Sequence, residues 1–181
     1  MATTIRAVLI LLIPVLVLGA CSTTPTTETD REEQSEEVRI TIDQLKSRDP
    51  GLTKWFNEAY GYAVFPSVGK GAVGVGGAFG RGQVFEEGEF IGYSKLSQAT
   101  VGLALGGQEY AEAIFFKDKY ALRRFTGGNF EFAAQASAVA VRAGASADAD
   151  YNNGVAVFTM PLGGAMFEAS IGGQKFKFEK K

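Results

Sequence analysis

From Gly61 onward, apolar side chains recur at every second position and keep that period through most of the chain. A period of two sends successive side chains to opposite faces of a sheet, so this part of the chain is constrained to β-structure. The runs are Tyr62 to Phe65, Gly71 to Gly80, Val84 to Ile91 with a turn near Glu87-Gly88, Val101 to Leu105 and Ala113 to Phe116. They resume as Phe130 to Val141, Val155 to Met160, Ala165 to Ile171 and Lys175 to Phe178. Short alternating runs separated by glycine predict a mainly β, α+β fold. The expected form is an antiparallel, glycine-rich barrel or sandwich with one or two N-terminal helices and one short internal helix.

Glycine also lies inside the runs, at Gly74, Gly76, Gly77, Gly102, Gly106 and Gly172, and Phe130 to Val141 carries Ala133, Ala134, Ala136, Ala138 and Ala140. Glycine weakens a strand unless the sheet coils sharply, a backbone approaches closely or a ligand needs room. A face of small residues lets a narrow barrel close or leaves a slot for a slender group such as an acyl chain.

Three segments carry helical signals. Val38, Ile42 and Leu45 have helical spacing, although Val38, Ile40 and Ile42 also alternate; a helix is expected. Asp49 as cap, Pro50 at the first helical position and Gly61 as stop predict a second helix with Leu52, Trp55, Phe56 and Ala59 on one face. Asp118 as cap and Gly127-Gly128 as terminator predict a third.

The N-terminus has a different character. One cation, Arg6, precedes the apolar run Ala7 to Leu18, which is short of the roughly 20 residues that a membrane span needs and has the layout of a signal peptide. Leu18-Gly19-Ala20-Cys21 resembles a lipobox, so residues 1–20 are expected to be removed and Cys21 to receive diacylglyceryl and N-acyl groups. Cys21 is the only cysteine, which excludes an internal disulfide. Residues 21–37, with Thr-Thr-Pro-Thr-Thr and then Glu28, Asp30, Glu32, Glu33, Glu36 and Glu37, have no apolar residue to bury and are expected to form a flexible acidic tether. Residues 38–181 then form a single domain. Ser22 after the cysteine is not the aspartate of an inner-membrane retention signal, so the expected location is the periplasmic face of the outer membrane.

Composition narrows the chemistry. The formal net charge is −2, too mild for a global field that attracts nucleic acid. With no histidine and one cysteine assigned to lipid, the usual zinc sites and the Ser-His and Cys-His arrangements are absent. Ser67-Val-Gly-Lys70 has the S-x-x-K spacing but no K-T-G or S-D-N follows it. Gly74 to Gly80 is one residue too long for G-x-G-x-x-G, and Gly71 follows Gly69-Lys70 where a phosphate loop needs Ser or Thr. Asp148, Asp150 and Asn152 have calcium-loop spacing, but Asn153 and Thr159 stand where glycine and glutamate are required. No metal, cofactor or catalytic residue is expected; a carboxylate enzyme using Glu109, Glu112, Asp148 or Asp150 is the remote alternative.

What remains is basic and aromatic. Lys117, Lys119, Arg123 and Arg124 surround the internal helix, and Lys175 and Lys177 alternate with Phe176 and Phe178 near the C-terminus. With Lys54, Trp55, Phe56 and Lys70, these are the candidate lipid contacts.

Gly61-Tyr-Ala-Val-Phe-Pro66, Lys70 to Gly82, Val101-Gly-Leu-Ala-Leu-Gly-Gly-Gln108, and Leu122 to Ala140 with its Phe-Thr-Gly-Gly-Asn-Phe-Glu-Phe core run in the order found in the SYLF (Ysc84-type) lipid-binding domain. The resemblance spans about residues 40 to 178. It implies a non-enzymatic module that binds membrane phospholipid or anionic lipid. The family's basic amphipathic N-terminal segment is acidic here, so no phosphoinositide preference is carried over. The alternative reading is a structural envelope lipoprotein that binds a protein partner or peptidoglycan.

Overall fold

The computed structural model describes residues 25–128, 131–132 and 138–181, with the backbone alone for 101–104, 131–132 and 166–172. The lipobox and Cys21 lie outside the described residues, as does half of Phe130 to Val141.

The glycine-rich runs do not form many short strands. They merge into three long ones, β1 (Gly61–Glu86), β2 (Glu89–Phe116) and, further along, β5 (Val155–Lys180). Between β2 and β5 lie α3 (Lys119–Thr126) and the short strands β3 (Glu131–Phe132) and β4 (Ala138–Ala140). The sheet order is β1-β2-β5-β3, with β4 also on β5. β1 and β2 form one hairpin, turned by Glu87 and Gly88 at φ 51° and 84°. Two positive φ values match a turn of mirror-image type, whose twist suits the flanking strands.

Strands this long stay compact by folding over. Each has a near half, around 61–70, 107–116 and 155–164, and a far half, around 77–86, 89–99 and 173–180. The bend in β1 falls at the glycines: a Cβ built on Gly76 would lie 2.7 Å from that of Ala72. Past the bend, β1 returns alongside its own start. Gly80 sits against Ser67 and Val68, Gly82 against Val64 and Phe65, and the Glu87 amide donates to the Tyr60 carbonyl at 2.8 Å. β5 reverses in the same way, which is why β3 pairs antiparallel with its far half and β4 parallel with its near half. The result is mainly β and α+β, as expected, and sandwich-like. It is not the closed barrel that was the other option, because side chains such as Phe65 and Phe176, 5.7 Å apart, fill the space between the halves.

Two apolar clusters follow from the alternation. Inside the fold, Phe65, Ile114, Phe116 and Val157 of the near half meet Val84, Leu96 and Phe176 of the far half, and α3 closes the end with Leu122 and Phe125. Asp118 caps α3 through the Ala121 amide at 2.9 Å, as its sequence predicts. On the outside of the near half, Val64, Phe115, Phe158 and Met160 are covered by α1 (Glu28–Arg48) and α2 (Leu52–Glu58).

Helix α1 corrects the expected tether. Residues 28–37 are helical, started by a capping box between Thr27 and Asp30. Gln34, Val38, Thr41 and Leu45 are its buried stripe, and Ser35 accepts a hydrogen bond from Gln83 at 3.0 Å. The acidic residues therefore occupy the solvent face of a packed helix, where Arg39 bridges Glu36 and Asp43. Composition alone misses this because the buried positions of the first turns include polar Gln34 in place of a hydrophobe.

Asp49 also differs from its expected role. It ends α1, and its carboxylate accepts from the amides of Ser146 at 2.7 Å, Gly51 at 3.2 Å and Gly144 at 3.3 Å, joining the α1–α2 corner to the short 3-10 turn Ala145–Ala147. Asp49→Ala strands these amides at a buried corner and is expected to cost about 2 to 3 kcal/mol. A urea titration checks this; a loss below about 0.5 kcal/mol would show that the corner is held elsewhere.

Candidate functional site

The residues expected to touch lipid are dispersed. Phe56 is buried, with its ring 4.8 Å from Phe115 and Lys46 over its face. Trp55 packs at tilted and edge-on angles among Phe115, Tyr151 and Phe158, and its indole N–H donates to the Ser146 carbonyl at 3.2 Å. Both are packing residues, so of the two roles an apolar helical face can take, core packing or lipid contact, this face takes the first. Lys54 is exposed and lies 3.9 Å from Glu58. Lys70 is buried on the inner face and is not a surface contact. Lys117, Lys119, Arg123 and Arg124 are exposed around α3, at the end of the fold opposite the glycine bend. Lys175 and Lys177 lie on the outer face of the far half.

That outer face has an order that only register reveals. Arg81 pairs with Lys95 and Lys95 with Lys177, giving a cationic row straight across three strands. The next row toward the bend is Phe79, Ser97 and Lys175. Lys95 Nζ and the Arg81 guanidinium stand 4.8 and 6.0 Å from the Phe79 ring centre. Like charges directly opposite in a sheet repel. Among the described residues no carboxylate lies within salt-bridge distance of Arg81, Lys95 or Lys177. Asp30, Glu33 and Glu37 of α1 line a hollow that Arg81 and Phe79 also line, bordering the row on its β1 side.

Beyond the rows, the same face carries the exposed Gly77 and Ala99, and then Val75, Val73 and Leu105, exposed at 69%, 82% and 63%. Large side chains point out here and small ones in: Ala72 is buried while its neighbour Val73 is almost bare. This inverts the usual distribution at the place where the sheet folds most tightly.

Inside the fold lies a second feature. A cavity of about 220 Å³ is lined by Gln108, Tyr110, Glu112, Thr159, Pro161 and Gln174, with Ala138 and Ala140 of β4. Gln174 donates to Glu112 at 3.0 Å and reaches the Tyr110 hydroxyl at 3.4 Å. Glu112 is fully buried; burial raises its carboxyl to about 7, against the opposing Gln174 hydrogen bond. Of the lining atoms, Glu112 Oε1 and Gln174 Oε1 accept no hydrogen bond from the protein. Such polarity makes the space a poor slot for an acyl chain. No second carboxylate lines it among the described residues, and no group of acidic or cysteine side chains suited to a metal occurs among them.

Sequence reading found Lys175 and Lys177 but missed Arg81 and Lys95. A single cation within each alternating run gives no local signal; it becomes one only when three strands align.

The fold and this face together define an α+β domain built on a folded three-stranded sheet, with a cationic band and an apolar edge exposed on one side. The chain is similar to "Beta cell expansion factor A" of Aeromonas veronii, at 29% identity over 159 residues, covering 81% of this chain and 59% of that protein. It thus spans less than two thirds of that relative's length. No protein-family model matches the chain. No described helix is long and apolar enough to cross a membrane.

Proposed function

We propose that the chain is a non-enzymatic lipid-binding module of SYLF type, carried by an envelope lipoprotein anchored through Cys21 at the periplasmic face of the outer membrane. The observation that carries this is the exposed far-half face, where the Arg81–Lys95–Lys177 row adjoins Phe79 and the apolar edge. A row of mutually repelling cations gains a reason when opposed by lipid phosphates, and each cation near an anionic surface contributes about 1 kcal/mol. The ordered segments resembling SYLF domains support the same reading.

Replacing Arg81, Lys95 and Lys177 together by glutamine is expected to weaken sedimentation with anionic vesicles by about 3 kcal/mol, on the order of a hundredfold at low salt. Binding to purely zwitterionic vesicles should change little. Equal loss on both vesicle types would remove the electrostatic basis. A wild-type protein that binds no vesicles, yet crosslinks to one envelope protein in cells, would replace the lipid reading with a protein-partner one.

A further inference from the structure

The exposed apolar edge has a position and a neighbourhood that point to its occupant. It is the outside of the bend, with Val73 and Leu105 paired across β1 and β2, and it spans three hydrogen-bonded strands, about 10 Å wide at the usual strand spacing. Register continues the rows with Phe167 opposite Leu105 and with Val101 and Ile171 in line with Val75. From Val75 to the rows of Phe79 and Arg81 is four to six residues, about 13 to 20 Å along an extended strand. Strands lying oblique to the membrane shorten that distance to the step between the outer acyl region and the headgroups, and lysine stems close the remainder by reaching outward.

The N-terminus leads to the same side. Pro25 lies in the hollow formed with Pro66, Gly69, Phe79 and Arg81, below the bend and far from α3. Cys21 is four residues earlier, within about 14 Å of chain at full extension. Lipid on Cys21 would therefore hold the domain with its bend toward the bilayer and the α3 cations away from it.

We propose that the folded edge of the sheet, with Val73, Val75 and Leu105 at its apex, is the element that enters the bilayer, and that Arg81, Lys95, Lys175 and Lys177 meet the lipid phosphates above it. This rests on the lipid-binding reading and assigns the surface responsible. The small inner residues follow from it: the bend must be tight so that backbone groups remain paired between strands while the edge meets hydrocarbon. Insertion is shallow, because β1 is an edge strand with one open side.

The test uses residues 22–181, which contain every described residue and both core clusters. This fragment lacks Cys21, so Val75→Cys introduces a single thiol for an environment-sensitive fluorophore, and Asn57→Cys on α2 labels the opposite end. With vesicles of phosphatidylcholine containing about one third phosphatidylglycerol, the label at 75 is expected to shift to the blue and brighten about threefold or more, and the label at 57 to stay unchanged. Val73→Ser, Val75→Ser and Leu105→Ser combined are expected to lower vesicle partitioning at least about tenfold with an unaltered unfolding midpoint. Binding with a water-exposed label at 75, or with the triple variant partitioning normally, overturns the insertion edge and leaves lipid binding standing. Failure of the unlabelled fragment to bind any vesicle overturns both.

Discussion

Replacing Gly82 by alanine is expected to destabilise the domain by about 3 kcal/mol or more and to lower its unfolding midpoint by roughly 6 to 12 °C. Gly82 lies where the returning half of β1 meets its own beginning. A methyl group there collides with the Val64 carbonyl oxygen and comes within 2.7 Å of Phe65 Cδ1. The obstacle is backbone, and Phe65 is itself fixed against Phe176, so neither can yield cheaply. The two halves must separate, and the whole inner cluster depends on their contact. Gly69→Ala is the control, since a Cβ at Gly69 meets nothing within 4 Å and its φ is not positive. Its effect is expected to stay within about 0.5 kcal/mol. Thermal and urea unfolding of both variants checks this; equal stabilities would mean that the return of β1 does not need a bare backbone at residue 82.

The second large effect concerns Glu112. Its carboxyl is raised by burial from 4.5 to about 7, so the folded protein binds a proton that the unfolded chain releases between those values. The stability contributed by the neutral carboxyl is complete below about pH 4.5, falls as pH rises through 7, and is lost above it. The expected difference between pH 4.5 and pH 8 is about 3 kcal/mol. Glu112→Gln keeps an oxygen for the Gln174 amide and carries no charge. It is expected to flatten this dependence and to be more stable than the parent protein at pH 8, with near-equality at pH 4.5. Parallel pH profiles of stability for the two proteins would show that Glu112 stays ionised within the fold, supported by solvent in the cavity.

These two sites show how unevenly the fold was legible. The period of two identified the sheet, and the interior glycines announced sharp coiling. Asp118 read correctly as a cap because capping is settled within four residues. The length of the strands was not legible: Pro66, Gly69 and Gly71 look like a break in sequence, yet β1 runs on through them and bends only around Ala72 to Gly76. Nor was α1 legible in its first turns, where the buried stripe begins with Gln34 and the helix is held by packing on Val64 and by the bond from Gln83 to Ser35. Asp49 was read as a cap for α2; instead it binds amides 95 and 97 residues away.

The candidate site divides along the same line. Lys175 and Lys177 were visible because their alternation with Phe176 and Phe178 is local. Trp55 and Phe56 stayed open between core packing and lipid contact because an apolar helical face looks the same whether it meets a core or a membrane; the structure packs them on the core. By itself, the sequence determined that this chain forms a small-residue β-sheet with a few amphipathic helices, and that the histidine and cysteine chemistry of common enzymes is absent. Tertiary structure alone decided which strands stand side by side and where they fold. Placing Arg81, Lys95 and Lys177 in one row requires three strands in fixed register, and exposing Val73 while burying Ala72 requires knowing which side of the bend is outside. Side-chain alternation is a local property of the backbone; register and the direction of folding are set by the sum of distant contacts, and no single segment contains them.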